Sequence, residues 1–265
     1  MNDNHRAMLE IVSPAAFFKS QNKCYLDKFN VNTRRFDIMR KNGMEYSVPN
    51  IPSDVFQYSL ERSRDTGYLA AFIVCPNSKW SPYYKEALHA AKNIKRTAKR
   101  HNDVFFSVNV INSKAFVLGT ILFTNTIALD FYHYRNSTSV IKEFSKRYAN
   151  SSTTYILTKD NTFLGNASDY KAYRIKDTRV FEVNISNSTD EVKFDYFADV
   201  IIKAINRANG RYVVSYGYSC DFICNILGRV ERECKHLPIV AAQYGVASAA
   251  LFGLNTMCFH FGEYI

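Results

Sequence analysis

Glycine is scarce in this chain, 10 residues in 265, and phosphate-cradling loops are built from it. No Walker loop or dinucleotide fingerprint occurs, and neither does a Gly-x-Ser-x-Gly elbow or a His-Glu-x-x-His pair. These absences disfavour nucleotide-dependent enzymes, elbow-type hydrolases and zincins. Six cysteines include no Cys-x2-Cys knuckle, the pairing that would make a zinc site a strong reading. The run from Met1 to Arg6 is polar and leads into no apolar stretch of signal-peptide length, which predicts an unprocessed cytoplasmic chain whose cysteines are free thiols.

Acidic residues are missing from one place in particular. Residues 1–150 hold 22 Lys/Arg against 12 Asp/Glu, while residues 151–265 hold 12 against 12, so the first part carries the whole net charge of +10. The densest segment runs from Lys85 to His101, with Glu86 alone among Lys85, Lys92, Lys95, Arg96, Lys99 and Arg100. At 100° per residue Tyr84, Ala87, Leu88, Ala91, Ile94 and Ala98 form an apolar stripe, while Lys85, His89, Lys92, Arg96, Lys99 and Arg100 gather on a neighbouring face. A field of this kind attracts polyanions, and the helix has no base-reading pattern. The expected function is a nucleic-acid-binding accessory protein, for DNA or RNA without sequence preference, that contacts phosphates through the six Lys and Arg residues of this segment. A composition rich in Asn, Lys and Tyr suits a viral or mobile-element origin. The competing reading is a solvated helix that only maintains solubility, and a protein-binding inhibitor or complex subunit meeting an acidic partner is a further alternative.

Hydrophobic residues make up 47% of the chain, enough for a proper core, and 20 Phe with 18 Tyr suit strand interiors and base-stacking surfaces alike. The fold class expected is α+β with mostly antiparallel sheets and packed helices. Residues 1–66, with Pro14, Pro49, Pro52 and Gly43, read as an irregular basic segment. Residues 67–136 read as the basic helix plus a meander, and residues 137–265 as a second helix-meander unit with an apolar C-terminal helix; the three could form one continuous domain. Tyr68–Cys75 has the character of a buried strand, and Ser81-Pro82 opens a helix that should reach about His101. Strands are then expected over Val104–Ile111, Ala115–Thr124 and Ile127–Tyr134, and a helix over Ser139–Ala149. Strands follow over Thr153–Thr158, Tyr170–Ile175 and Val180–Ile185, a helix over Phe194–Ala208 and a strand over Arg211–Tyr216. Helix starts at intervals of roughly 55 residues suggest a repeated helix plus three-strand meander, with coincidence as the alternative.

The order helix, three strands, helix, strand over Ser139–Tyr216 is also that of restriction-endonuclease-like nucleases. Such enzymes need an acid on the second strand and Asp/Glu-x-Lys on the third. Asp169 and Glu182 are the candidate catalytic and metal-binding carboxylates, with Mg as the implied cofactor of that alternative and no cofactor expected otherwise. Asn184 stands where the lysine is required, and Asp160 with Asp169-Tyr170-Lys171 offers a second way to compose the set. Cys220, Cys224, Cys234, Cys258, His236 and His260 supply soft ligands for a zinc site, although buried thiols are commoner. From Leu237 to Gly262 there is no Asp, Glu, Lys or Arg. Gln243, Asn255 and His260 dilute its hydrophobicity, so a core helix is expected there in preference to a tail anchor, and a membrane partner is not expected.

Overall fold

The computed structural model describes residues 15–18, 23–26, 33–101, 106–116, 119–120, 122–124, 126–128, 138–159, 169–176, 178–185, 189–208, 212–217, 221–234, 238, 240–243 and 245–262. In chain order the elements begin with β1 (Ala15–Phe18), β2 (Lys23–Leu26), α1 (Thr33–Lys41), β3 (Tyr46–Ser47), α2 (Ser53–Asp65) and β4 (Ala70–Cys75). Next come α3 (Tyr83–His101), β5 (Ser107–Asn112), α4 (Thr138–Ser151), β6 (Thr153–Thr158), β7 (Lys171–Lys176) and β8 (Arg179–Val183). The chain ends with α5 (Asp190–Arg207), β9 (Tyr212–Tyr216), α6 (Asp221–Glu233), β10 (Val240–Gln243), α7 (Val246–Phe252) and β11 (Thr256–Phe261). The class is α+β, and two compact units are formed, one on residues 50–148 and one on residues 14–49 and 149–264.

In the first unit β4 and β5 pair in parallel, from Ala70 opposite Ser107 to Cys75 opposite Asn112. Parallel neighbours need a crossover, and α3 supplies it. Its apolar seam of Ala87, Ala90, Ala91 and Ile94 packs into a core with Phe56 and Leu60 of α2 and with Cys75, Phe106 and Val108. The alanines let the helix approach closely. Burial pushes the Cys75 thiol up to about 12, so it is an inert core group. The strand expected to be buried throughout is buried only at Cys75, because β4 pairs with β5 alone among the described residues.

The meander expected after β5 is not formed. Residues 119–120, 122–124 and 126–128 are helical. Gly119, Leu122, Phe123, Thr126 and Ile127 are buried, which is the i, i+3, i+4, i+7, i+8 spacing of a helix. The β-branched threonines are accommodated by donating back along the helix, Thr124 to the Thr120 carbonyl and Thr126 to the Leu122 carbonyl. Phe123 stacks on Phe144 of α4 at 5.2 Å, and the Tyr148 hydroxyl donates to the Gly119 carbonyl. Most of the strand expected over Ile127–Tyr134 lies outside the described residues, and the parallel pair removes the basis for a repeated meander.

The second unit is built on a six-stranded sheet of order β10-β9-β11-β6-β7-β8, antiparallel except where β10 joins β9. A second, three-stranded sheet joins β1 to β2 and β3. The expected C-terminal core helix is instead strand, short helix, strand. Gly245 caps α7 at its start, and Gly253 ends it at φ 81°, a left-handed turn that sends the chain back as β11. Every residue of β11 is buried, with β9 on one side and β6 on the other. An uncharged run is what a strand buried on both faces requires, so the same composition that suggested a helix belongs to the centre of the sheet. Gly217, just after β9, allows this return: a Cβ there would stand 2.3 Å from the Leu254 carbonyl oxygen.

Candidate functional site

The tripeptide Asn-Ser-Lys occurs twice, at residues 77–79 and 112–114, where β4 and β5 finish. Both copies fold alike. The Asn77 Oδ1 accepts from the Lys79 N–H at 2.9 Å, and the Asn112 Oδ1 accepts from the Lys114 N–H at 2.9 Å. Asparagine side chains close turns in this way by imitating a backbone carbonyl. The two turns are then tied together. Buried Asn77 donates through Nδ2 to the Lys114 carbonyl and through its N–H to the Ala115 carbonyl, while Asn112 Nδ2 donates to Ser78 Oγ at 2.8 Å. Lys114 holds a positive φ of 54°, and Lys79 lies over the Trp80 ring.

Ser81 sits just ahead of α3 and accepts from the Tyr83 N–H. Ser78 likewise acts as an acceptor, so both hydroxyls keep a hydrogen to donate. Hydroxyl donors and two lysines are therefore gathered at the carboxyl ends of two adjacent parallel strands. Open α/β sheets bind their ligands at such ends, and the chemistry here suits an anionic oxygen.

The sheet of the second unit has two unlike faces. Leu157, Ala172, Tyr212, Val214, Met257, Phe259 and Phe261 point to one side, where Phe197, Ile201 and Ile205 of α5 and Phe222, Ile226 and Val230 of α6 cover them. Outside, Arg229 of α6 links to Glu233 at 2.7 Å, to Asp195 at 3.2 Å and to Asp199, clamping α6 to α5. The opposite face carries Thr154, Ile156, Thr158, Tyr173, Ile175, Val213, Ser215, Thr256, Cys258 and His260, all buried. Thr154 and His260 Nδ1 lie 2.7 Å apart, and Thr158 and Thr256 lie 2.6 Å apart. The Ser215 hydroxyl is buried with no hydrogen-bond partner. Burial drives the His260 pKa down to about 3, so the ring is neutral.

The residues singled out from the sequence are divided between the two units. Lys85, Lys92, Lys95 and Arg96 are exposed on α3, and Lys99 and Arg100 belong to its last turns by backbone, their side chains lying outside the described set. Asp169 is held by Lys193, a lysine only 3% exposed, and accepts the Tyr170 N–H; these bonds hold its carboxyl below the usual range. Glu182 lies across from Tyr173 on the edge strand β8 and pairs with Lys171 at 3.5 Å. The two carboxylates are thus paired with different lysines, and Lys193 also reaches Asp190 at 3.7 Å. Cys224 is exposed, Cys234 and Cys258 are buried, and Cys220 and His236 lie outside the described residues. Among the described residues no three His, Cys, Asp or Glu side chains gather as a metal site, and no helix is long and apolar enough to cross a membrane.

No family model and no characterised protein sequence matches the chain. Its fold does match solved structures. A stearic acid-binding protein from Eubacterium ventriosum superposes with a TM-score of 0.76 at 13% identity, over 96% of this chain and 91% of that one. A fatty-acid-binding DegV family protein from Thermus thermophilus follows with 0.75 at 13% identity, over 96% and 92%. DegV of Bacillus subtilis, described as a fatty acid binding protein, gives 0.74 at 11%, over 95% and 90%. The fold is DegV-like. This likeness corrects the functional expectation: the architecture is that of lipid-binding structures, not of a restriction-endonuclease-like nuclease, and it supports neither a viral nucleic-acid-binding protein nor an inhibitor or subunit with an acidic partner. The nucleic-acid reading rested on the charge of α3, and charge without a groove-fitting fold does not specify a polyanion.

The Asn-Ser-Lys turns were missed because each looks like ordinary strand punctuation. Their signal was present as an exact tripeptide repeat, one copy after each of the expected strand runs Tyr68–Cys75 and Val104–Ile111. It becomes meaningful only when those runs are read as parallel neighbours, which puts both carboxyl ends on the same edge.

Proposed function

We propose that this chain binds a long-chain fatty acid. The observation that carries the proposal is the DegV-like fold, matched over nearly the whole length by structures described as fatty-acid-binding. The local chemistry supports it: the hydroxyls of Ser78 and Ser81 retain donor capacity beside Lys79 and Lys114, and a carboxylate needs such donors. Asn77 acts as a positioning residue, since its Oδ1 closes its own turn while its Nδ2 and N–H hold the second turn against it.

Purified protein should release fatty acid on organic extraction and take up a fluorescent fatty acid saturably. Ser81→Ala should weaken uptake about 10- to 100-fold, the worth of a hydrogen bond to a charged group, and cost about 1 kcal/mol of stability from the lost acceptor of the Tyr83 N–H. Absence of extractable fatty acid together with no saturable uptake refutes the proposal. Uptake that Ser81→Ala leaves intact would keep the cargo and discard the site.

A further inference from the structure

The cationic face of α3 is left without a task by the fold. Ala87, Ala90, Ala91 and Ile94 are buried on one side of the helix. At 100° per residue Lys85, Lys92 and Arg96 lie directly opposite that seam, with Lys95 on the flank. All four are exposed, and none of them forms an ion pair among the described residues. Among the described residues Arg96 bonds only to Asn93 of its own helix, at 2.6 Å. The helix's acid, Glu86, is partly buried beside the seam and does not offset the stripe. The surrounding polar contacts, His89 to Ser53 and Asn93 to Gln57, join α3 to α2 and leave the stripe open.

We infer that this stripe docks the protein on an anionic lipid bilayer. The inference rests on the fatty-acid reading, because an acyl chain that is insoluble in water must be collected from or delivered to a membrane. The composition of the face favours a bilayer over a protein partner. Among the described residues three of its four exposed cations are lysines, and lysine is depleted from the cores of protein interfaces, where apolar and aromatic anchors are needed instead. A leaflet of anionic headgroups asks for no shape complementarity, only for positive charge within a Debye length, and each lysine or arginine near it is worth about a fivefold gain in partition. Docking of this kind needs no apolar insertion, in keeping with a stripe whose exposed members are all cations or His89.

The test is co-sedimentation of the full chain with phosphatidylcholine vesicles, with and without a third of phosphatidylglycerol, at low and high salt. The variant is Lys85→Gln with Lys92→Gln and Lys95→Gln, and each sample is also assayed for fluorescent fatty-acid uptake in vesicle-free solution. The wild type should sediment with the anionic vesicles only and be released by salt. The triple variant should lose on the order of 100-fold in partition while its uptake in solution is unchanged. Equal sedimentation with neutral and anionic vesicles, none with either, or a triple variant that sediments like the wild type overturns the docking; a face built for an acidic protein would give the second result. Lysine-dependent vesicle capture without any fatty-acid uptake would keep the docking and remove the cargo assignment, so the two readings fail separately.

Discussion

On the central strands of the six-stranded sheet both faces are largely buried, and they are differently made. Toward α5 and α6 the central strand β11 presents Met257, Phe259 and Phe261, which pack within a cluster of apolar and aromatic side chains. Toward the other side the alternate residues Thr256, Cys258 and His260 lie beside Thr154, Thr158 and Ser215. A buried polar atom contributes only through its partner, and its net worth is about 1 kcal/mol when paired. Burial alone therefore does not tell which face holds the unit together; the kind of contact does.

The sharpest way to break this comparison is to truncate neighbours on one strand. Phe259 stacks on Tyr212 with ring centroids 6.2 Å apart and tilts against Phe197 at the same distance. Phe259→Ala should cost about 3–5 kcal/mol in urea unfolding, the transfer and cavity loss of a fully buried ring. Cys258→Ala, one residue away and 1% exposed, removes a single sulfur atom and should cost about 1 kcal/mol. Equal losses would show that the polar face is packed as tightly as the helix-covered one.

On the polar face acid should act through His260. His260 is neutral when folded, its pKa driven from 6.5 down to about 3 by desolvation, while in the unfolded chain it returns to its ordinary value. The unfolded state then binds the extra proton, so this stabilisation is complete above about pH 6.5 and is lost as the pH falls toward 3. Between pH 7 and pH 5 the loss should be about 2 kcal/mol, at ~1.4 kcal/mol per pKa unit. Stability curves of wild type and His260→Gln would separate this group from the carboxylates; parallel curves would mean that the ring is already solvated.

The same contrast explains what could be read in advance. Strand β6 was predicted at its exact bounds and α3 within two residues of its start, because Thr153–Thr158 alternates between buried faces and Ser81-Pro82 precedes an unbroken amphipathic run. Helix α5 was legible in outline, but its first turn was not, since Asp190 and Glu191 read as loop until they are seen at a helix N-terminus. The run from Leu237 to Gly262 failed because apolar, uncharged sequence carries no period when both faces are buried, so length suggested a helix and only Gly245 and Gly253 argued for breaks. The segment 115–124 failed for a related reason. Its apolar residues fill every register, and the helical subset Gly119, Leu122 and Phe123 is visible only once burial is known. The candidate site was the least legible part, since Asn77 and Asn112 act through turns that become neighbours only by parallel pairing.

The smallest effect tests the comparison most finely. Ser215 lies on β9 between Ala242 of β10 and Cys258 of β11, 4% exposed, and its hydroxyl has no partner. Deleting a paired polar group strands its partner, whereas deleting an unpaired one removes a desolvation cost and strands nothing. Ser215→Ala should consequently change stability by less than about 0.5 kcal/mol, or raise it slightly, even though the residue sits in the middle of the sheet. Thr154→Val, on the same face, leaves His260 Nδ1 without its 2.7 Å partner and should cost about 1–3 kcal/mol. If instead Ser215→Ala costs as much as Thr154→Val in matched urea titrations, the serine hydroxyl is bonded in solution. The polar row would then be a continuous network in which each member supports the next, and not a set of separate pairs within an otherwise apolar face.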